Sequence, residues 1–357
     1  KYNIMKKQLF YLVLLSYFFI GHNSIAQDLN KTEKIKGVSK LFKDQKILPL
    51  KLVYSNRDVK KKTNDSTYII TDLSYQNEAG TWNSLEVELR GRGFNRLKNC
   101  YFPPIKIKIK KSNAKGTIFK GNKKLKLVLP CLKQKSMNDA LIKEALAYKL
   151  YEIISPYHFK TRIVKIDFTE SRGKKMIDHK LDGILIEDDQ IFGERHNGKM
   201  LKRFIHPMGQ DALASVHNAF FQFMIANTDY STAYQHNEKL FFINDKMIPV
   251  PYDFDMSGLV NASYAVVSQI NNEALAITKV TERMYRGFKR DIKIFNQVRQ
   301  EFLDSKIEML EVIDSFESNF DDSKEFLKTK EFILSFFKII ENDNQFQKKI
   351  VQQARTK

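Results

Sequence analysis

Cysteine is scarce in this chain, with Cys100 and Cys131 the only two among 357 residues. That excludes a disulfide-rich scaffold, and without a Cys-x-x-Cys pair a zinc ribbon has no support. His-Glu-x-x-His and Gly-x-Ser-x-Gly are missing too, so neither a zinc hydrolase nor an α/β-hydrolase is indicated. There is no internal repeat and no long low-complexity tract. Acidic residues are in deficit: 41 Asp and Glu against 60 Lys and Arg give a net charge of +19 and a pI near 9.6. Nucleotide phosphates, nucleic acid, acidic protein and acidic glycan all suit such a charge, yet most of the lysines are scattered as on an ordinary solvated surface. They form blocks only at Lys60-Lys61-Lys62, from Lys106 to Lys111 and from Lys123 to Lys126. A nucleic-acid binder needs a recognition motif with aromatics interleaved in a basic groove, and none is legible, so no specific nucleic-acid partner is expected.

The apolar run from Leu9 to Ile20 is too short to cross a bilayer comfortably. Lys6-Lys7 precede it and Ser24-Ile25-Ala26 follow it, which together read as an export signal over residues 1–26, with Met5 a better start than Lys1. Removing Lys1, Lys6 and Lys7 leaves 19 minus 3, or +16, on the mature chain. The expected location is therefore periplasmic, extracellular or in the cell envelope, with no membrane span in the mature chain. An oxidising compartment would let Cys100 and Cys131 pair. If residues 105–110 and 124–129 form an antiparallel hairpin with Ile105 opposite Lys126, the same register sets Cys100 opposite Cys131. Two buried free thiols is the other reading.

A chain of this length, 43% hydrophobic and carrying 27 Phe, suits two lobes. Residues 48–54, 67–73 and 85–89 read as strands, with a lysine-rich turn at 60–66. A helix follows over 137–154, with Ser136 or Asn138 as its cap, and then strands over 162–168 and 181–187. Asp188-Asp189 and residues 193–198 break the pattern, which places a hinge between a β-rich part (27–187) and a helical part (188–357). Helical spacing returns over 279–296, 298–316, 323–341 and 345–354.

The most informative stretch is 211–258. A helix over 211–226 leads to Asn227-Thr228-Asp229 and Gln235-His236-Asn237. A hairpin then runs through 240–243, Asn244-Asp245 and 247–252, and ends in Asp253-Phe254-Asp255-Met256-Ser257-Gly258. An Asp and an Asn before a hairpin and an Asp after it meet the needs of phosphoryl transfer: one carboxylate orients the attacking oxygen, while an amide and a second carboxylate hold a divalent metal on nucleotide phosphates. Taken singly, Asp229 and Asn237 read as turn residues, His236 as a hydrogen-bonding spacer, and Asp253 with Asp255 as a strand-ending turn. Paired acids there would also suit a glycosidase or nuclease, whose carboxylate separation is a three-dimensional matter.

Upstream, Glu86-Val87-Glu88-Leu89-Arg90-Gly91-Arg92-Gly93 resembles the arginine-and-glycine strand and turn of CotH-type atypical kinases. Asp182-Gly183-Ile184-Leu185-Ile186-Glu187 resembles their hinge strand, Asn227-x-Asp229 with Asn237 their catalytic loop, and Pro251-Tyr252-Asp253-Phe254-Asp255 their metal-binding segment. The resemblance covers about half of the chain. It implies an α+β, two-lobed protein-kinase-like fold, with a β-rich N-lobe and a mainly helical C-lobe, that moves the γ-phosphoryl group of ATP to a protein Ser or Thr with Mg²⁺ or Mn²⁺. In that reading Asp229 orients the acceptor, while Asn237 and Asp253, with Asp255 as a further ligand, hold the metal. Arg90, Gly91, Arg92, Gly93 and Glu187 face the nucleotide. A strand lysine should pair with Glu144 on the following helix. Lys126 is the choice, with Lys106 and Lys124 as the other lysines in reach. The spacing of eight positions from Asp229 to Asn237 departs from the pattern. A catalytically silent kinase-fold module that binds an envelope or surface partner is the alternative.

Overall fold

Alternation builds the first half of the molecule. In β1 (Leu48–Tyr54) Leu48, Leu50, Leu52 and Tyr54 are buried while Lys51 and Val53 face solvent, the period of two expected of a strand with one wet face. The same pattern continues in β2 (Ile69–Gln76), β3 (Trp82–Gly91), β4 (Ile105–Lys108) and β5 (Lys124–Val128). Two long strands follow, β6 (Thr161–Arg172) and β7 (Lys175–Glu187). The computed structural model describes residues 37–270 and 274–356. The expected export signal and its cleavage site lie outside them.

The seven strands form a closed barrel in the order β1-β2-β3-β4-β5-β7-β6. Closure corrects the expected fold. The content is α+β, but the two-lobed protein-kinase-like architecture with its β-sheet N-lobe is not what the chain adopts. The physical reason lies in the β6–β7 hairpin, which runs on to Arg172 and Lys175, well past the four-residue ladder that joins β7 to β5. Its outer strand would be an open edge, and β1 covers it in parallel from Leu48 opposite Val164 to Tyr54 opposite Glu170. Residues 37–357 form one compact unit. The barrel interior is filled by Leu50, Leu52, Leu89, Ile107, Leu125 and Leu127 among others.

Short helices punctuate the barrel: α1 (Lys40–Lys43), α2 (Asn56–Lys62), α3 (Phe94–Asn99) and α4 (Lys111–Ala114). The expected lysine-rich turn begins inside α2, where the Ser55 hydroxyl caps the N-terminus by accepting the Asp58 N–H and Lys62 reaches Asp58 at 3.0 Å. The β4–β5 register is one residue from the expected one, with Ile105 opposite Leu127 and Lys106 opposite Lys126. Cys100 and Cys131 lie beyond the ladder, where α3 and a turn absorb that slip, and they form a disulfide with 4.5 Å between their Cα atoms.

Helix α5 (Ser136–Ile154) is buried almost all round, between the barrel and the helices that follow. Lys135, not Ser136 or Asn138, occupies its N-cap position. At the expected hinge, Asp188 caps α6 (Asp189–Arg195) by accepting the Gln190 N–H. A three-stranded sheet, β8 (Lys199–Met200), β9 (Glu238–Ile243) and β10 (Lys246–Pro251), lies beyond α7 (Ala212–Met224) in the helical half. Four helices complete the chain: α8 (Ile292–Asp304), α9 (Lys306–Ser315), α10 (Ser323–Glu341) and α11 (Asp343–Lys349). The helix expected from residue 279 starts only at Ile292, where Asp291 supplies the cap. Among the described residues no helix is long and apolar enough to cross a membrane.

Candidate functional site

Four turns of backbone aim the site. β3 ends at Gly91, where a Cβ would fall 2.4 Å from Leu97 Cδ1 and force that side chain to move. Gly93 then takes φ +77° to start α3, so Arg92 and Arg96 come to the same wall. On the opposite side Gln235, Asn237 and Asp253 hold φ values of 50°, 52° and 65°, a left-handed conformation that non-glycine residues adopt at a cost of about 1–3 kcal/mol each. The surrounding packing must hold them there. A cavity of about 610 Å³ opens between these walls, lined by Arg92, Gly93, Arg96, Asp229, His236, Asn237, Asp253, Asp255, Tyr264 and Ser268. The Cys100–Cys131 disulfide forms part of its rim.

Asp229 is the most closely held group. Asn237 donates its amide to the Asp229 carboxylate at 3.0 Å and to the Asp229 carbonyl at 2.6 Å. The Ser268 hydroxyl donates to the other carboxylate oxygen at 3.2 Å, and His236 Nε2 lies 3.5 Å from that oxygen. The hydrogen bond and charge of Asp229 raise the His236 pKa above its usual value. The Asn237 amide nitrogen is committed to Asp229, and its amide oxygen has no hydrogen bond among the described residues. A hard cation is bound through such an oxygen, not through the nitrogen.

Arg96 is the centre of charge on the facing wall. Its guanidinium lies 3.5 Å from Asp255, 3.9 Å from Glu144 and 4.0 Å from Asp253, and donates to the Leu129 carbonyl at 3.0 Å. Burial pushes Glu144 up to about 8 despite Arg96, and Asp255 up to about 6 for the same reason. Two buried carboxylates beside one guanidinium are costly to ionise together, and burial favours the protonated form more strongly for Glu144 than for Asp255. The Tyr264 hydroxyl donates to Asp255 at 3.0 Å. The Asp253 N–H donates to the Tyr148 hydroxyl on α5 at 3.0 Å.

The structure gathers Asp229, Asn237, Asp253, Asp255, Arg92 and Gly93 at one cavity, holds Glu144 beside it through Arg96, and sets Lys126 in a small pocket shared with Arg92 and Asp253, while Arg90 and Glu187 turn elsewhere. Lys126 is buried, and its ammonium meets Asp189 at 2.5 Å rather than Glu144, whose cation is Arg96. Burial lowers the Lys126 pKa, with Asp189 opposing that. Lys106 lies 3.4 Å from Asp188, and Lys124 carries no ion pair among the described residues. Arg90 turns away to Asp65 at 2.8 Å and to the Tyr68 hydroxyl at 3.2 Å. Glu187 is taken up by Arg195 at 2.9 Å and the Lys160 N–H at 3.2 Å, so its side chain is not in the cavity. Arg92 differs from all of these: its half-buried side chain has no hydrogen bond and no ion pair among the described residues. Arg96, Tyr264 and Ser268 carried no sequence signal, and Asp189 was legible only as part of a break in pattern. Arg96 sits in a six-residue helix, and Ser268 lies 39 positions from its partner.

Among the described residues no three His, Cys, Asp or Glu side chains are grouped so as to hold a metal by themselves. Asp255 is the weakest member of the expected ligand set, since it already faces Arg96 and Tyr264. Asn237 and Asp253 both line the cavity, and the Asp253 carboxylate, 33% exposed, offers an open oxygen of the kind Mg²⁺ or Mn²⁺ takes together with water and phosphate. No protein-family model matches the chain, and no curated protein matches it significantly.

Proposed function

We propose that this protein is a phosphotransferase that moves the γ-phosphoryl group of ATP to a protein Ser or Thr hydroxyl, the activity implied by its resemblance to CotH-type kinases. The observation that carries the reading is the pairing of an unpartnered Arg92 guanidinium with an Asp229–Asn237–Asp253 set across one cavity. Phosphoryl transfer asks mostly for positioning and charge neutralisation, and this arrangement offers both. Asn237 and Asp253 would hold Mg²⁺ or Mn²⁺, which offsets charge on the phosphate oxygens when bound.

Each protein group then has a part. Arg92 binds phosphate oxygens, a task for which a planar guanidinium suits better than an ammonium. Asp229, its orientation fixed by Asn237 and Ser268, accepts the acceptor hydroxyl proton as that oxygen bonds to the γ-phosphorus and the bridge to the β-phosphate breaks. Arg96 keeps Asp253 and Asp255 in place. An exported location, as expected from the first 26 residues, is proposed with it.

Two variants separate the roles. Asp253→Asn should weaken metal-dependent nucleotide binding and turnover together. Asp229→Asn should leave binding intact while transfer falls by about 10²–10⁴, the mark of an interaction made mainly in the transition state. Calorimetric binding and radiolabelled transfer read these out. If the wild-type protein neither binds ATP with either metal nor labels itself or a partner, the silent binding module replaces the enzyme. The Lys126–Asp189 pair, which ties up a cation meant for phosphate, is the observation on that side.

A further inference from the structure

A line of buried polar side chains runs behind the cavity, from β9 to Asp229. Glu238, the first residue of β9, is 3% exposed. Its carboxylate accepts Asn218 Nδ2 at 2.9 Å, the Thr232 hydroxyl at 3.1 Å and Gln210 Nε2 at 3.3 Å. Asn218 Oδ1 then accepts Gln222 Nε2 at 3.2 Å, and Gln222 Oε1 accepts Asn227 Nδ2 at 2.9 Å. Asn227 Oδ1 closes the line by accepting the Asp229 N–H at 2.9 Å. Asn218, Gln222 and Asn227 are at most 1% exposed.

Such a line is costly to bury. An amide that loses a partner inside a protein is destabilising, whereas leucine or methionine would fill the same volume with no polar group to satisfy. The surrounding core is rich in phenylalanine, with Phe220, Phe221 and Phe223 on the same helix as Asn218 and Gln222. Each amide has one orientation that satisfies both neighbours, so the line is directional. At one end it fixes the backbone N–H of Asp229. At the other it fixes Glu238, whose chain neighbour is Asn237. Ala226, Gln235 and Asn237, which flank these ends, hold φ values of 49°, 50° and 52° that local preference alone would not keep.

We propose that Glu238 and Asn218 are positioning residues, which act through Gln222 and Asn227 to hold Asp229 and Asn237 in register across the cavity. The consequence for turnover rests on the phosphotransferase reading; the consequence for the loop does not.

Hydrogen exchange on the full chain tests the loop directly, and phosphoryl transfer tests its consequence. Asn218→Leu should speed exchange of the amides in 229–237 about tenfold, the size of one buried hydrogen bond, while α5 and α10 keep wild-type rates. Turnover at saturating ATP should fall with nucleotide affinity unchanged. Glu238→Met should behave alike. Glu238→Gln is the rescuing control: it keeps an oxygen for Asn218 and Thr232, and its new amide can donate to Gln210 Oε1, which has no partner now, so exchange should stay within about twofold of wild type. If Asn218→Leu does not fold, Thr232→Val removes only the outer bond and should give a smaller change of the same pattern. Wild-type exchange over 229–237 in Asn218→Leu, or acceleration spread evenly over α5, α10 and the loop, overturns the proposal. A wild type that transfers no phosphoryl group sinks the enzyme reading, and the exchange pattern still decides the relay.

Discussion

Arg96 Nη1 lies 3.9 Å from Glu144 Oε2, so a guanidinium from the short helix α3 faces the one carboxylate of α5 that sequence reasoning had matched to a strand lysine. Lys126, the lysine in question, is 2.5 Å from Asp189 at the start of α6. Two cation–carboxylate pairs thus cross the junction of barrel and helices with their partners exchanged. Glu144 and Lys126 are at most 6% exposed, so burial disfavours the charge of each and makes both junctions depend on how these groups are satisfied.

Arg96→Met should be severely destabilising. It strips the cation from Glu144, Asp253 and Asp255, and removing one member of a buried ionic cluster costs about 3–5 kcal/mol. Urea denaturation at neutral pH reads this, and a midpoint equal to wild type would show that the cluster is not coupled to folding.

Glu144 gives a pH dependence of defined sign. Its pKa is about 8 in the folded chain and 4.5 in the unfolded one, so between those values the native state holds the extra proton. Its contribution to stability is therefore present at pH 4.5, falls as pH rises through about 8, and then levels off. Glu144→Gln, which mimics the protonated form, should match wild type at or below about pH 4.5, become progressively the more stable of the two as pH rises towards about 8, and keep a constant advantage beyond. Urea midpoints of both proteins at about pH 4.5, 6 and 9 check this; a constant difference would contradict it.

Arg92→Met should lower affinity for ATP and for inorganic triphosphate with only a modest loss of stability, since the guanidinium has no hydrogen bond or ion pair to lose among the described residues. Arg90→Met, which breaks contacts to Asp65 and Tyr68, should leave affinity alone. Calorimetric titration beside thermal melts separates the two arginines.

Cys100→Ser with Cys131→Ser should cost about 3–4 kcal/mol by the chain-entropy relation, because the bridge spans 31 positions. Nucleotide affinity should fall as well, since Cys100 ends the helix that carries Arg96 and the bridge edges the cavity. Equal melting with and without a dithiol reductant that fully opens the bridge would refute the first expectation.

Short-range pattern was enough for the elements. The alternation in residues 48–54 and the three- and four-residue spacing in 323–341 mark β1 and α10 at their observed limits, because burying one face of a strand or helix imposes its own period. Helix α7 and the β9–β10 hairpin around Asn244-Asp245 were legible for the same reason, and they bring Asp229, Asn237, Asp253 and Asp255 to one end of a hairpin. Tertiary structure alone decided the rest. Barrel closure depends on β1 meeting β6 more than a hundred positions away, and a parallel pairing leaves no turn in the sequence to announce it. The one-residue register of β4 against β5 depends on what packs inside the barrel. Which cation meets Glu144 depends on how close α3 and α5 approach, and lysines and arginines this numerous look alike until burial separates Arg96 and Lys126 from those left in water.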